Sequence, residues 1–307
     1  MERTGHPLLS ARTFLLALIL SLSALGIGCG KKLSFLSLSE SALSDYFVVS
    51  NANTKDIALF DPNGNYVRQL FRLPAGSSES IYGLHQFGNY LYFVVDGVDR
   101  VLRVDLTEPD APAENYISDT ALSGNLRGLT GNSLGELLIV ESNNVEKFDS
   151  NRIRVTSGWP KALQTTGTGI AMMDDGGFVQ CSTGTDVVRA YTSAGVQTAT
   201  ASSGIGGTTD VVDCSYSPET GRVLALFSGT TDTLRVYDSS SLATVDFNFS
   251  NTAILGTPKA AAFTTDGSVL AADGTSQRVY KIDAQGNFAG PITSVGIDNP
   301  NDLVVLR

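Results

Sequence analysis

Histidine, cysteine and charge are scarce in this 307-residue chain, which has two His, three Cys, three Met and one Trp. With His6 and His85 as its only imidazoles and no Cys cluster, it lacks the donor set of a tetrahedral zinc site. Charged residues are 17% of the total, and 21 Lys plus Arg face 31 Asp plus Glu, for a net charge of −10. That balance excludes nucleic acid, whose binding needs clustered basic side chains. It leaves cations, basic partners or simple solubility. Only one long apolar run exists, the 12 residues Phe14–Leu25, too short to cross a bilayer. Serine is too frequent for a nucleophile to stand out. The glycines at 204–207 lack the Lys-Ser/Thr and the strand-to-helix setting of a phosphate loop.

Gly, Ser and Thr are abundant instead, which suits turn-rich β structure. Six times an apolar strand ends in a similar short turn, at Asp61, Asp105, Asp149, Thr192, Asp238 and Asp283, with intervals of 44, 44, 43, 46 and 45 residues. A repeat of that length built from short strands predicts a β-propeller of four-stranded antiparallel blades. A second-strand column ends at Ser50, Asp96, Glu141, Ser182, Ser228 and Asp273, and a first-strand column carries Leu84, Leu129, Ile170, Val211, Ala261 and Leu303. The first repeat begins at its second strand, and the chain ends in a lone first strand. The expectation is therefore an all-β, six-bladed ring, with the C-terminal strand closing the N-terminal blade. The blades run 45–77 plus 299–307, then 78–122, 123–165, 166–206, 207–256 and 257–298. Seven blades is the alternative, if residues 30–44 hide a strand pair.

The stretches VVSNANTKDIALFDPNGNYVRQL and VLAADGTSQRVYKIDAQGNFAG resemble NHL-type propeller repeats, in which a strand ends in Asp and the next ends in a Phe/Ile-Asp-x-x-Gly turn. Repeats one and six match well and the middle ones are degenerate, with Thr192 where the turn Asp is expected. The resemblance implies a binding scaffold, with occasional lyase or lactonase relatives.

At the N-terminus, Arg3, His6 and Arg12 precede the apolar run, and Gly26-Ile27-Gly28-Cys29 follows it. This is the layout of an export signal. The small residues ending in Cys resemble a bacterial lipobox, although Leu25 lies four residues before Cys29 and Gly26 takes the usual Leu position. The resemblance implies cleavage after residue 28, lipidation of Cys29 and anchoring in the cell envelope; Gly30 in place of Asp favours the outer membrane. The division is then 1–28 signal peptide, 29–44 lipidated Cys and Ser-rich tether, and 45–307 propeller. An oxidising compartment permits a Cys181–Cys214 disulfide, but the repeat register predicts thiols at different heights and hence two buried free cysteines.

First strands line the channel of a propeller, and their starts share a face with the turns after the second strands. The column Gly83, Gly128, Gly169, Asp210, Ala260 and Asp302 places Asp210 and Asp302 near the axis, with Asp96, Glu141 and Asp273 around them. Such a rim suits Ca2+ or Mg2+ through oxygen ligands, or acid/base work if crowding raises the carboxyl pKa values. The simpler reading is backbone capping. His85, two residues beyond Gly83, is either a general base beside those acids or a packing residue. Trp159 is either a partner contact or a brace between blades. The expected function is a membrane-anchored binding or scaffold module for a protein or glycan, acting as a monomer. The rivals are a metal-assisted hydrolase, lactonase or lyase at the channel mouth, and a subunit of an envelope assembly.

Overall fold

The computed structural model describes residues 43–307, apart from 109, 120, 121, 123, 164, 165, 185, 186, 203–208, 244, 252 and 253. The expected export signal, Cys29, most of the expected tether and the 204–207 glycines lie outside the described residues.

Regular structure among the described residues is entirely β, in six four-stranded antiparallel sheets. The first sheet holds β1 (Phe47–Asn51), β2 (Asp56–Phe60) and β3 (Tyr66–Arg72). The second holds β4 (Ser80–Phe87), β5 (Tyr90–Asp96), β6 (Arg100–Asp105) and β7 (Glu114–Ser118). The third holds β8 (Leu126–Gly131), β9 (Leu137–Glu141), β10 (Asn144–Phe148) and a two-residue β11 (Lys161–Ala162). The fourth holds β12 (Gly167–Met172), β13 (Phe178–Ser182), β14 (Val187–Tyr191) and β15 (Gln197–Ser202). The fifth holds β16 (Thr209–Ser217), β17 (Arg222–Gly229), β18 (Thr233–Asp238) and β19 (Val245–Ser250). The sixth holds β20 (Pro258–Phe263), β21 (Val269–Asp273), β22 (Arg278–Ile282) and β23 (Phe288–Thr293).

The last strand, β24 (Pro300–Val305), pairs with β1 in the first sheet, Leu303 opposite Val49 and Val305 opposite Phe47. This is the six-bladed propeller, closed as the ends of the sequence require. Two further bonds extend the closure, Leu306 N–H to Tyr46 C=O at 2.7 Å and Asp45 N–H to Leu306 C=O at 3.0 Å. The Asp45 carboxylate reaches the sixth blade, accepting from Thr265 N–H at 2.8 Å and its hydroxyl at 2.6 Å. Leu43 is buried in one cluster with Val48, Ile57 and Leu306.

The strands are apolar on both faces because each sheet is covered by a neighbour on each side. Side chains alternate along a strand. Val48 therefore packs with Phe93 and Val95 of the second blade, while Phe47 and Val49 pack with Ala272 and Val279 of the sixth. The same division recurs around the ring: Tyr92 and Val94 meet Leu129 and Ile139, and Leu138 and Val140 meet Phe178 and Tyr191. Trp159 belongs to this packing, 6.1 Å from Phe178 of the next blade, so it braces two blades.

The repeat turns are held by their own side chains. Asp61 accepts from Asn63 and Asn65 N–H, both at 2.9 Å, and Asp283 from Gln285 and Asn287 N–H. Thr192 does the same with its hydroxyl, accepting from Val196 N–H at 3.2 Å. A hydroxyl thus fills the carboxylate's role in the degenerate fourth repeat.

Every inner strand carries a register shift near its start, as at Tyr82/Leu84, Val211/Asp213 and Pro258/Ala260. These bulges press neighbouring inner strands together. A Cβ on Gly169 would lie 2.6 Å from Asp213 Oδ1 and from Cys214 N of the next blade. The fifth blade has a second irregularity. Twelve residues separate Leu84 from Asp96, Leu129 from Glu141, Ile170 from Ser182 and Ala261 from Asp273, but seventeen separate Val211 from Ser228. The structural equivalent of Leu303 in this blade is Cys214, so the sequence column was displaced by three residues. The same displacement corrects the expected height of the cysteines: Cys181 and Cys214 are free, buried and packed in one cluster.

Gly169→Ala is expected to cost about 2 kcal/mol, because the neighbouring backbone cannot yield. Gly256→Ala, whose Cβ would meet Thr275 at an ordinary 3.4 Å, is the control. Urea unfolding of both variants measures the difference, and equal midpoints would contradict this account of the blade junction.

Candidate functional site

The inner strands of all six blades enclose a cavity of about 650 Å3 along the ring axis. Its walls include Tyr82 and His85 from β4, Arg127 from β8, Met172 from β12, Asp213 and Tyr216 from β16, Lys259 from β20, and Asp302 from β24. The bulges explain how two carboxylates come to stand here. A bulge leaves one strand N–H without its ladder partner. Asp302 accepts from Leu303 N–H at 2.7 Å and from Leu84 N–H of the second blade at 2.6 Å. Asp213 repeats the pattern, accepting from Cys214 N–H at 2.8 Å and from Ala261 N–H of the sixth blade at 2.9 Å. The two acids are equivalent residues of the first and fifth blades, with Ala260 of the sixth between them.

Asp213, and not Asp210, is thus the partner of Asp302. Asp210 is exposed, accepting from Gly184 N–H at 2.5 Å. The other expected rim residues are drawn into separate duties. Asp96 pairs with Arg127 at 3.6 Å, and Arg127 in turn lies 4.2 Å over the Tyr82 ring. Asp273 is fully buried and accepts from the N–H groups of Gly256, Thr257 and Ser276. Glu141 is buried, and it and Asp96 both raise the pKa of Asp99, although burial is the larger cause. Among the described residues no group of three or more His, Cys, Asp or Glu is arranged to hold a metal ion.

Electrostatics single out the two channel acids. Both touch the cavity yet have protein around them. Burial raises the Asp302 pKa to about 7, against its two backbone hydrogen bonds. Burial, and then the charge of Asp302, pushes Asp213 well above the carboxylate range. At neutral pH the pair therefore retains protons. His85 lies in the same wall with Nε2 buried and unpartnered, facing Gly131, and burial lowers its pKa to about 4. It is neutral, and its Nε2 bonds to neither acid. At the opposite mouth, the Tyr216 hydroxyl donates to Asp174 at 3.0 Å, and burial followed by that acid pushes the phenol up to about 12.

Residues 131–135, Gly-Asn-Ser-Leu-Gly, match G-x-S-x-G. A nucleophile elbow needs a strand-to-helix turn. Here the stretch is the β8–β9 hairpin turn, closed by Gly135 N–H to Asn132 C=O at 3.0 Å, and Ser133 is exposed at the channel mouth.

The acids and the histidine pull stability in opposite directions with pH. Asp302 is raised in the fold, so stability falls as pH climbs from about 4 to about 7. His85 is depressed to about 4, so stability rises over nearly the same window, up to its ordinary 6.5. Each group contributes a slope of at most about 1.4 kcal/mol per pH unit. Urea unfolding between pH 4.5 and 7.5 should show His85→Gln falling more steeply with pH than the parent, and Asp302→Asn less steeply. Identical slopes in all three proteins would refute the assigned environments.

No protein-family model matches the sequence, and no curated protein does. The fold has solved counterparts. A chain of a nidogen/laminin complex is similar at a TM-score of 0.70 and 13% identity, over 85% of this chain and 98% of that one. A protein of unknown function from Bacteroides caccae is similar at 0.61 and 11%, with the same coverage of 85% and 98%. At these identities the likeness is one of fold: the six-bladed β-propeller.

Proposed function

We propose that this chain is an exported, lipid-anchored propeller of the NHL type that binds a small ligand, or a short protruding part of a larger one, in its central channel. The observation carrying this reading is the 650 Å3 channel cavity, whose wall is shared about equally between apolar and polar surface, with Arg127, Lys259, Asp213, Asp302 and Tyr216 among its polar groups; a concave site with convergent polar groups is where a ligand is expected. The Asp-turn repeats support the NHL assignment. The Phe14–Leu25 run followed by Cys29 supports export and anchoring in the outer membrane. A single lipid-tethered body needs no second copy to form the channel, which favours a monomer. A protein or glycan partner would meet the loops around the channel mouths. Binding is favoured over catalysis because both channel carboxyls already accept two backbone hydrogen bonds. The second reading, a lactonase or other hydrolase, rests on Asp302, whose pKa near 7 suits a general acid or base.

Two experiments test this. Thermal-shift titration with sugars, diamines, lactones, Ca2+ and Mg2+ should reveal at least one class that raises the melting temperature by several degrees. Lys259→Trp, which places a bulky side chain at the cavity wall, should weaken that shift while melting cooperatively itself. Equal shifts in both proteins, or none in either, would remove the channel as the site. Lactone consumption that is lost in Asp302→Asn would decide for the enzyme. Separately, full-length protein made in a Gram-negative host should incorporate labelled palmitate and sediment with membranes, and Cys29→Ser should do neither. An unlabelled parent protein would end the lipoprotein reading.

A further inference from the structure

We propose that Cys181 and Cys214 form a latent disulfide that can lock the fourth blade to the fifth. Cys181 is on β13, the second strand of its blade, and Cys214 is on β16, the inner strand of the next. Both are buried in the apolar cluster that joins these blades, among Val179, Val188, Val211 and Ala225. Each thiol bears on the other's pKa, as neighbours in one buried cluster do. The β16 bulge between Val211 and Asp213 is the device that brings them level.

Thr168 marks how tight this junction is: its hydroxyl donates to Val211 C=O of the fifth blade at 2.8 Å. Packing and the bonds of Gly184 to Asp210 and of Tyr216 to Asp174 complete the junction, and a covalent bond here would tie together two blades that separate on unfolding. Such a bond closes a chain segment that is otherwise free in the unfolded state.

The reaction is thiol–disulfide exchange with an oxidising disulfide such as oxidised glutathione. One cysteine thiolate attacks the glutathione disulfide, forming a mixed disulfide and releasing one reduced glutathione. The second cysteine thiolate then attacks the protein sulfur of that mixed disulfide, closing Cys181–Cys214 and releasing the other. Two S–H bonds are lost, one S–S bond forms in the protein, and the two electrons end on the two glutathione molecules. Burial disfavours both thiolates, desolvation being the main cause. Exchange is therefore slow in the closed ring and proceeds when the two blades part or first assemble.

The full chain is equilibrated in glutathione buffers of graded redox ratio, with and without enough urea to open the blades, then alkylated and digested with trypsin. The expected product joins the peptide of residues 162–189 to that of residues 190–222. Its melting temperature should exceed that of the reduced protein by about 5–10 °C. Cys181→Ser should lose both the link and any dependence of melting on the redox ratio. If that variant does not fold, Cys214→Ala and the oxidised and reduced parent proteins carry the comparison. Cysteines that are alkylated at every ratio, glutathione on each without a link, or a link that leaves the melting temperature unchanged or lower would each overturn the proposal.

Discussion

Each sheet in this molecule is buried on both faces, and that requirement shapes everything else. A four-stranded sheet with Val48 and Val49 on opposite sides has no face to offer water. It needs a neighbour on each side, and so does that neighbour. A row of such sheets is stable only when the row returns on itself. The pairing of β24 with β1 is how the chain returns, and it places the first and last strands in one blade. The outer strands are released from the demand, which is why β15 (QTATAS) alternates between exposed and half-buried positions while β13 (FVQCS) is buried throughout.

Closure creates a second problem at the axis, where six inner strands converge. Their bulges let them crowd together, at the cost of backbone N–H groups left without ladder partners. Three blades answer with glycine, at Gly83, Gly128 and Gly169, where any side chain would strike the next strand. Two answer with aspartate, which ties the N–H of its own strand and that of the following blade to one carboxyl. Thr130 and Asn301 make comparable ties, to Met172 N–H at 3.0 Å and Ile81 C=O at 3.0 Å. The polar wall of the channel thus begins as a structural repair, and any binding property is built upon it.

The fold was legible because its period is long and its turn chemistry regular. Five spacings between 43 and 46 residues admit little besides a blade. The blade boundaries and the closing strand followed from where the repeat starts and stops. The channel was legible only in part, because bulges and turn lengths are invisible to a column of apolar residues. In the fifth repeat, Val211 and Cys214 both offered an apolar residue near the right place. The choice of Val211 promoted Asp210 to the axis and hid Asp213. The distance to the end of the second strand, twelve residues in four other blades, is seventeen from Val211 and fourteen from Cys214, which favours the latter. Asp96, Glu141 and Asp273 were correctly placed at the ends of their strands. Whether such an end carries a free carboxylate or a buried cap depends on neighbours distant in sequence.

The proton retained by the channel acids constrains what the cavity can bind. A cationic ligand gains most from an ionised Asp302, and near pH 7 it must first displace the proton that burial holds there. Its affinity would therefore climb with pH until Asp302 ionises unaided, and binding would release protons to solvent. A neutral ligand that accepts a hydrogen bond has the opposite preference, since a protonated carboxyl is a donor. Asp213 sharpens the contrast, because the charge of either acid makes ionisation of the other harder. A second positive group on the ligand would relieve that repulsion as well as pair with the charge. The sign of the proton uptake on binding therefore distinguishes the two ligand chemistries before either ligand is known by name.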